Sequence, residues 1–443
     1  MHIDFLLDRF NEELNETAII SDEKKYNYGN ILDEYKHWIK VLDEHKVKEQ
    51  SIVAIYADFT IESIALMFAL IENNSIIVPI SPSIKTVNKF LEISESEYLI
   101  DIDNKRTEIR ELGNGGNNSL LRELKQKGHP GLVLFSSGTT GDPKAAIHDM
   151  VPLLEKFKVT KKALTTIAFL LFDHIGGFNT LMHVLSNGGT LVTLKDRDPY
   201  EACRLIEKYR VELLPTAPTF LNMILFSRAY ERYDISCLKL ITYGTEPMPE
   251  STLKSFHKLF PNIALKQTYG LSEIGIMRSI SESSDSLWIK VGGEDYKTKI
   301  VDERLWIKAK TAMLGYLNAP SPFDEEGWLN TNDKVEVKGE YLRFLGRDSE
   351  IINVGGEKVY PIEVESVILE IDGVKDASVK GEENPLMGSI VCAKVRVDEE
   401  NNNSEFILNI KKYCRENLEK FKVPVKVTLT SEELNSSRFK RLR

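Results

Sequence analysis

The chain has 443 residues, of which 42% are hydrophobic and 28% charged, a composition that excludes a collagen-like, low-complexity or wholly disordered protein. Its formal net charge of −10 lacks the basic excess that a nucleic-acid backbone attracts, so we expect no nucleic-acid partner. The longest apolar run, from Ile64 to Ile71, is far shorter than the roughly 20 residues that cross a bilayer, and we expect no membrane span.

The N-terminus and the cysteines indicate a cytoplasmic protein. The first residues lack the basic segment and apolar run of a secretory signal. Cys203, Cys237, Cys392 and Cys414 are scattered without metal-ligand spacing, so we expect reduced, mostly buried thiols. Nothing in the sequence indicates an oligomeric state.

Short apolar runs alternate with segments of helical period from Ser51 to about Phe260, which is the pattern of a parallel sheet covered by helices. In chain order the predicted elements are a strand from Ile52 to Tyr56, a helix from Ile61 to Ile71, a strand from Ile76 to Ile80, a helix from Tyr200 to Tyr209, a strand from Val211 to Leu214 that Pro215 ends, a helix from Pro218 to Phe226 and a strand from Leu238 to Tyr243. From about Lys297, short alternating runs predict an antiparallel element.

The last 97 residues, after Gly346, predict a small α+β domain. Its elements are a helix from Ile362 to Glu370, strands from Ala377 to Lys380 and from Ile390 to Val397, a helix from Phe406 to Leu418 and a strand from Val425 to Leu429. The predicted fold class is therefore α/β. A large N-terminal domain of parallel, helix-covered sheets with an antiparallel element spans residues 1–345, and a small α+β C-terminal domain spans residues 346–443.

One loop has the composition of a phosphate-binding segment. An apolar strand that begins at Leu132 leads into a stretch dense in hydroxyls and glycine: Ser136, Ser137, Gly138, Thr139, Thr140, Gly141, Asp142, Pro143 and Lys144. Glycines let backbone N–H groups approach an anion, hydroxyls add donors, and the lysine adds a positive charge. The spacing does not fit a Walker A loop, and composition alone leaves a Ser/Thr-rich hairpin open.

Two further segments have side chains that suit a nucleotide. Tyr269, Ser272 and Glu273 combine a ring that can stack on a purine, a hydroxyl that can reach a phosphate, and a carboxylate that can hold Mg²⁺. Downstream, the Asp333 carboxylate could accept both ribose hydroxyls. Taken singly, each segment also reads as an ordinary turn.

Taken together and in order, these segments resemble the adenylate-forming superfamily, which includes acyl-CoA synthetases, peptide-synthetase adenylation domains and firefly luciferase. The resemblance covers essentially the whole chain. It rests on Ser137–Lys144, Tyr269–Glu273, Gly327–Asp333, Gly346-Arg347, Gly355–Pro361, Lys420–Pro424 and Lys440–Arg443.

The resemblance implies a function: attack of a carboxylate on the α-phosphorus of ATP, with loss of pyrophosphate. It implies ATP as substrate, Mg²⁺ on Glu273, and Lys440 as the catalytic lysine. The implied ATP- and AMP-binding residues are Ser136, Ser137, Gly138, Thr139, Thr140, Gly141, Lys144, Gly244, Thr245, Glu246, Tyr269, Gly270, Ser272, Asp333 and Arg347. Among these, Tyr269 would stack on adenine beside Gly244–Glu246, and Asp333 with Arg347 would hold the ribose.

The resemblance also implies that the small domain is mobile and swings about the junction after Gly346 for a second half-reaction. Gly355, Gly356 and Lys358 would then line a pantetheine channel, and the thiol of CoA would attack the acyl-adenylate. His174 would lie between the acyl and thiol pockets, unless it is a core histidine. Phe172-Asp173 is similar to the pair that holds an amino group in peptide synthetases, but the 14 residues from His174 to Gly188 suit a CoA ligase better.

Three questions stay open at this point. The acceptor is CoA or the phosphopantetheine of an acyl carrier protein. A protein that binds nucleotide without turnover is the alternative of another class, since Ser349 and Phe439 depart from the family pattern at the hinge and before Lys440. The expected pocket walls, from 172 to 178, 216 to 220, 243 to 245 and 274 to 277, hint at a small or medium apolar or aromatic acyl group.

Overall fold

The computed structural model describes residues 2–103, 106–113, 115–137, 143–385 and 387–435. The α-helices in these ranges are α1 (Asp4–Glu12), α2 (Tyr28–Glu44), α3 (Ile61–Glu72), α4 (Val87–Ile93), α5 (Ser119–Lys127), α6 (Met150–Leu154), α7 (Ile175–Ser186), α8 (Pro199–Tyr209), α9 (Pro218–Ser227), α10 (Ala229–Arg232), α11 (Glu250–Leu259), α12 (Pro361–Ile368) and α13 (Ser404–Asn417).

The strands of the same ranges are β1 (Thr17–Ser21), β2 (Lys24–Asn27), β3 (Ile52–Tyr56), β4 (Ile76–Ile80), β5 (Tyr98–Asp103), β6 (Arg106–Glu111), β7 (Gly131–Ser137), β8 (Pro143–Asp149), β9 (Thr165–Ala168), β10 (Thr190–Thr193), β11 (Leu213–Thr216), β12 (Leu240–Tyr243), β13 (Ala264–Gln267), β14 (Gly270–Leu271), β15 (Gly275–Ile276), β16 (Arg278–Ser281), β17 (Ile289–Gly292), β18 (Tyr296–Val301), β19 (Arg304–Ala309), β20 (Gly315–Tyr316), β21 (Leu329–Lys338), β22 (Tyr341–Arg347), β23 (Ile352–Val354), β24 (Glu357–Val359), β25 (Val374–Asn384), β26 (Gly388–Val397) and β27 (Lys426–Thr430).

Two seven-stranded sheets form the larger part of the fold and confirm the predicted parallel, helix-covered architecture. The first has the order β13-β12-β11-β9-β10-β1-β2 and is parallel except at β1–β2; the second has the order β20-β8-β7-β4-β3-β5-β6 and is parallel from β7 to β5. The inner strands β3 and β4 are almost wholly buried, which explains their continuous apolar runs. Helix α3 is buried in the hydrophobic core on nearly every side, which explains why almost all of its residues are apolar.

One predicted strand is wrong at its end. The run from Val211 to Leu214 was expected to stop before Pro215, but β11 continues through Pro215 to Thr216. Proline lacks the N–H that a central strand normally donates. The pairing with β9 ends at Leu213, however, so on that side no ladder bond is lost at Pro215.

The antiparallel element is confirmed but begins earlier than expected. A six-stranded sheet of order β16-β17-β22-β21-β19-β18 starts at Arg278 rather than near Lys297. The residues of β16 alternate between buried and exposed, yet serine occupies two of its four positions. A search for alternating apolar residues therefore does not find this strand, because its side chains alternate in burial but not in hydrophobicity.

The chain after residue 350 forms a separate sheet with its own core. Strand order is β24-β23-β26-β25 with β27 beside β26, and α12 and α13 pack on it, which confirms the predicted order of helix, strand, strand, helix and strand. The short hairpin β23–β24 was not predicted. A division of the chain at residue 346 stays a prediction; β22 itself runs through Arg347.

Polar contacts connect this part to the rest of the protein. The Ser251 hydroxyl and N–H bond to Ser366, and the Asn222 amide donates to the Lys375 carbonyl at 2.9 Å. Within the described ranges no helix combines the length and apolar character that a bilayer span needs. The four cysteines are unpaired thiols, three of them buried, as expected.

Candidate active site

Several of the predicted site residues follow the carboxyl ends of parallel strands in the two seven-stranded sheets. β12 runs into Gly244, β13 runs towards Tyr269, and β7 ends at Ser137, where the predicted phosphate loop begins. Carboxyl ends of parallel strands are the usual ligand-binding edge of such sheets. Ser136 pairs with Lys144 across β7–β8; Gly138, Thr139, Thr140 and Gly141 lie outside the described residues.

Four side chains form a corner suited to a nucleoside, which we call the nucleoside corner: Tyr269, Asp333, Phe344 and Arg347. The Tyr269 hydroxyl donates to Asp333 Oδ2 at 2.5 Å, and Arg347 Nε lies 3.7 Å from Asp333 Oδ1. Phe344 stacks on the Tyr269 ring at a centroid distance of 4.5 Å. Asp333 follows Asn332, whose φ of +57° is a left-handed conformation that asparagine tolerates better than most residues other than glycine.

Burial shapes the charge state of this corner. It raises the pKa of Asp333 above its ordinary value, although the Tyr269 hydroxyl and Arg347 oppose the rise. Burial and the neighbouring Asp333 carboxylate raise the pKa of Tyr269, so the phenol stays protonated and remains a donor. The Tyr269 hydroxyl and Arg347 therefore do not fully offset the cost of burying the Asp333 charge, and a ligand with hydroxyl donors could supply further hydrogen bonds to this carboxylate.

Asp333→Asn is expected to stabilise the protein without nucleotide and to weaken ATP binding. A raised folded-state pKa means that the free energy of unfolding falls as pH rises from about 4 towards that pKa, and asparagine removes this loss. We expect a melting temperature higher by about 1–3 °C at neutral pH. Loss of a charged acceptor should weaken ATP binding about 10- to 100-fold, as measured by calorimetry.

Asp295→Asn is the matched control for this variant. It removes one charge from an exposed ion pair with Lys310 near the same antiparallel sheet, and neither quantity should change appreciably. Unchanged ATP affinity in Asp333→Asn would contradict a ribose-binding role for Asp333.

A second group of side chains surrounds the Glu273 carboxylate. The Tyr316 hydroxyl donates to Glu273 Oε1, and Lys144 Nζ lies 5.4 Å from the centre of the Tyr316 ring. Burial and the Glu273 charge raise the pKa of Tyr316, and the Arg347 guanidinium opposes this rise. Tyr316 sits on β20, which pairs with β8 beside Lys144.

Magnesium, which the family resemblance implies, fits this arrangement. Mg²⁺ is usually held by one or two carboxylates together with substrate phosphates and water rather than by an all-protein cage. Glu273 supplies one oriented carboxylate, and the described residues contain no group of three or more His, Cys, Asp or Glu that would form such a cage. Glu273 is thus the side chain that would hold the ion, with phosphate oxygens as further ligands.

The segment from Gly244 to Glu246 adjoins the nucleoside corner. A Cβ on Gly244 would lie 2.8 Å from the Thr268 carbonyl oxygen, so glycine allows the ends of β12 and β13 to approach. Thr245 has a φ of +75°, a strained value for threonine. The Glu246 carboxylate accepts the Thr219 N–H at 2.8 Å and so caps α9; its predicted contact with nucleotide stays a prediction.

His174 begins α7 and has a structural task of its own. Its Nδ1 accepts the Gly176 N–H at 3.0 Å, which makes it the N-cap of the helix. The ring is therefore hydrogen-bonded, but it is partly exposed and not a core histidine; its predicted place between the acyl and thiol pockets stays a prediction. Helix α7 also contacts β15, which lies within the expected pocket wall from 274 to 277.

Gly177→Ala is expected to displace the loop that precedes His174. A Cβ at Gly177 would lie 1.9 Å from the Leu171 carbonyl oxygen, which itself accepts the His174 N–H. We expect a loss of about 1–3 kcal/mol in the free energy of unfolding, measured by denaturant titration. Gly115→Ala is the control, because no atom lies within 4 Å of its Cβ position. Equal stability of the two variants would contradict the close approach.

Of the predicted pantetheine residues, Gly355 and Gly356 form the turn between β23 and β24, and Lys358 lies in β24. Gly355 and Gly356 have positive φ values, and Lys358 Nζ lies 3.5 Å from Glu303 Oε2, in the turn before β19. The hairpin therefore contacts the antiparallel sheet in this structure. Lys440 lies outside the described residues.

Sequence reasoning missed two side chains of the site. Tyr316 and Phe344 carry no nucleotide-binding signal in their own segments. Each was brought to the site by strand pairing, β20 with β8 and β22 with β21. A local pattern does not reveal such partners.

Comparison with known proteins finds two family matches. Residues 7–317 match the AMP-binding enzyme family, and residues 363–439 match the AMP-binding enzyme C-terminal domain. A 2-succinylbenzoate–CoA ligase of Enterococcus faecalis is 22% identical over 449 aligned positions, which cover 93% of this chain and 91% of that protein. Acyl-CoA synthetase 7 of Caenorhabditis elegans is 29% identical over 343 positions, 70% of this chain and 63% of that protein.

Solved structures share the fold. The crystal structure of the anthranilate CoA ligase AuaEII in complex with anthranoyl-AMP superposes with a TM-score of 0.84 at 20% identity, over 99% of this chain and 95% of that one. Several curated relatives are considerably longer: this chain spans about half to less than two thirds of their length.

Proposed function

Because the chain belongs to the AMP-binding enzyme family of the adenylate-forming superfamily, we propose that it is an ATP-dependent acyl-CoA ligase. It would activate a carboxylic acid as an acyl-adenylate, release pyrophosphate, and then transfer the acyl group to the thiol of CoA. The observation that carries the proposal is the Tyr269–Asp333–Arg347 cluster together with the Glu273–Tyr316 pair beside Lys144.

In the first half-reaction a carboxylate oxygen of the acid forms a bond to the α-phosphorus of ATP, and the bond from that phosphorus to the bridging oxygen breaks. Pyrophosphate leaves with the electron pair. Two anions must approach each other, so positive charge near the α-phosphate lowers the barrier. Lys144 and Lys440 would supply this charge, and bound Mg²⁺ would neutralise phosphate oxygens. Asp333 and Tyr269 would fix the nucleoside.

In the second half-reaction the thiol sulfur bonds to the acyl carbon, and AMP leaves as the phosphate–acyl bond breaks. The thiol proton passes to solvent or base. For the Gly355–Lys358 segment to reach the acyl-adenylate, the C-terminal part would rotate. The Lys358–Glu303 ion pair and the Ser251–Ser366 bonds would then break; both are weak polar contacts.

Acyl carrier protein is the alternative acceptor, since its phosphopantetheine presents the same thiol as CoA. A small or medium apolar or aromatic acid stays the predicted substrate class, and a cytoplasmic location also stays a prediction. A nucleotide-binding protein without turnover is the alternative of another class.

The test is pyrophosphate release from ATP and Mg²⁺ with a panel of short, medium, aromatic and amino acids, each with and without CoA. The controls are Lys440→Ala and Lys380→Ala, an exposed lysine on β25. Release that depends on the acid, that CoA accelerates and that only Lys440→Ala abolishes would support the CoA ligase and identify its substrate class.

Two other outcomes redirect the assignment. Release that CoA does not accelerate would overturn CoA as acceptor and favour a carrier protein, which is then added to the assay. ATP binding without release for any acid would overturn the ligase and favour the nucleotide-binding protein.

A further inference from the structure

One buried histidine lies close to the site and has no part in the reaction proposed above. His148, on β8, is fully buried. It pairs with Leu132 in the β7–β8 ladder, so its ring enters the apolar core on the face that Leu132 covers. Burying an imidazole among apolar side chains is unfavourable unless its polar atoms find partners.

The partner of His148 is the turn that carries Glu273. His148 Nε2 lies 2.6 Å from the Ser272 carbonyl oxygen, 124 residues further along the chain. Burial lowers the pKa of His148 to about 4, against the effect of backbone carbonyls, so the ring is neutral at physiological pH. Because a carbonyl only accepts, Nε2 carries the proton and donates it.

Three consecutive carbonyls of this turn are held by donors from two other segments of the chain. Ser272 is held by His148, Glu273 by the Met313 N–H at 2.7 Å, and Ile274 by the Thr311 hydroxyl at 2.7 Å. Of these three donors, His148 is the one on β8, the strand on which Lys144 also lies.

The Ser272 carbonyl belongs to the planar peptide that includes the Glu273 nitrogen. Fixing that oxygen fixes the plane from which the Glu273 side chain departs. Loss of the bond would free this one peptide, since Met313 and Thr311 still hold the next two carbonyls. The carboxylate could then rotate relative to Lys144 while the paired strands β14 and β15, which flank the turn, stay in place.

We propose that His148 is a positioning residue that ties the Ser272–Glu273 peptide to β8 and so sets the orientation of the Glu273 carboxylate towards bound Mg²⁺ and the phosphates of ATP. This inference rests on the proposed function for the role of Glu273. It concerns a side chain that touches neither nucleotide nor acid.

The test measures how strongly Mg²⁺ improves ATP binding, without acid or thiol. The dissociation constant of ATP is determined by calorimetry with EDTA and with Mg²⁺. The first value divided by the second gives the factor by which Mg²⁺ tightens ATP binding, and this ratio is compared between variants. His148→Leu removes the donor at similar volume, and we expect the ratio to fall about 3- to 10-fold. His148→Gln retains an N–H at a similar reach and should restore most of the ratio.

Two further measurements separate positioning from folding. Melting temperatures show whether each variant is folded, and His148→Met serves as a second donor-free variant if the leucine variant unfolds. In a Glu273→Gln background, His148→Leu should not lower the ratio further, because the two residues act through one carboxylate.

Several outcomes would overturn the inference: an unchanged ratio in a folded donor-free variant, a glutamine variant that behaves like the leucine variant, or additive effects with Glu273→Gln. ATP binding without pyrophosphate release in the wild type would overturn the proposed function alone, since the ratio is measured without catalysis. A wild type that binds no ATP would overturn both.

Discussion

Lys440→Ala should reduce acid-dependent pyrophosphate formation about 100- to 1,000-fold, the usual consequence of removing one group that stabilises transition-state charge. The attacking carboxylate and the α-phosphate are both anionic, and Glu273 adds a further negative charge on the protein side. Lys440 would supply a positive charge where the new bond forms. Its removal should lower kcat far more than it raises the KM for ATP, because the charge acts mainly in the transition state.

The two half-reactions give this prediction its control. Thioester formation from acyl-adenylate supplied directly should proceed in Lys440→Ala as in the wild type, since the proposed rotation removes this lysine from the site before the thiol attacks. Lys380→Ala, on the exposed face of β25, should leave both half-reactions unchanged. Equal loss of both half-reactions in Lys440→Ala would indicate a folding defect and contradict the assigned role.

Glu273→Gln should lower pyrophosphate formation by about 100-fold and raise the Mg²⁺ concentration needed for half-maximal rate. Glutamine has nearly the same shape and still accepts the Tyr316 hydroxyl, so the turn held by His148, Met313 and Thr311 should keep its position. What is lost is the negative charge that a divalent cation requires. The melting temperature should therefore change little while activity falls.

Tyr316→Phe is a milder change to the same pair of side chains. It keeps the ring beside Lys144 and the Glu273 charge but removes the hydroxyl that orients the carboxylate. A loss of about 3- to 10-fold is expected from one hydrogen bond. Loss of activity in Glu273→Gln with an unchanged Mg²⁺ requirement would show that the carboxylate acts otherwise than through the metal.

Most of the fold followed from local pattern. The strands at Ile52–Tyr56 and Ile76–Ile80 were predicted with their observed bounds, because a strand buried on both faces needs an unbroken apolar run. The order of elements after residue 360 was also predicted, since each has a clear period and ends at a turn. The family motifs are equally local, because a nucleotide-binding turn requires particular residues in succession.

The arrangement of those motifs came from tertiary structure. The sequence around Tyr269 does not predict its contact with Phe344, and the sequence around Glu273 does not predict Tyr316 or His148. These residues are far apart in the chain and come together through strand pairing. Pro215 could remain in β11 only because its neighbour β9 pairs no further than Leu213. Sequence patterns determine which residues can form a strand or a turn, whereas sheet order and register determine which of them meet. The site depends on both, because its chemistry lies in motifs while its charges and orientations are set by side chains from distant strands.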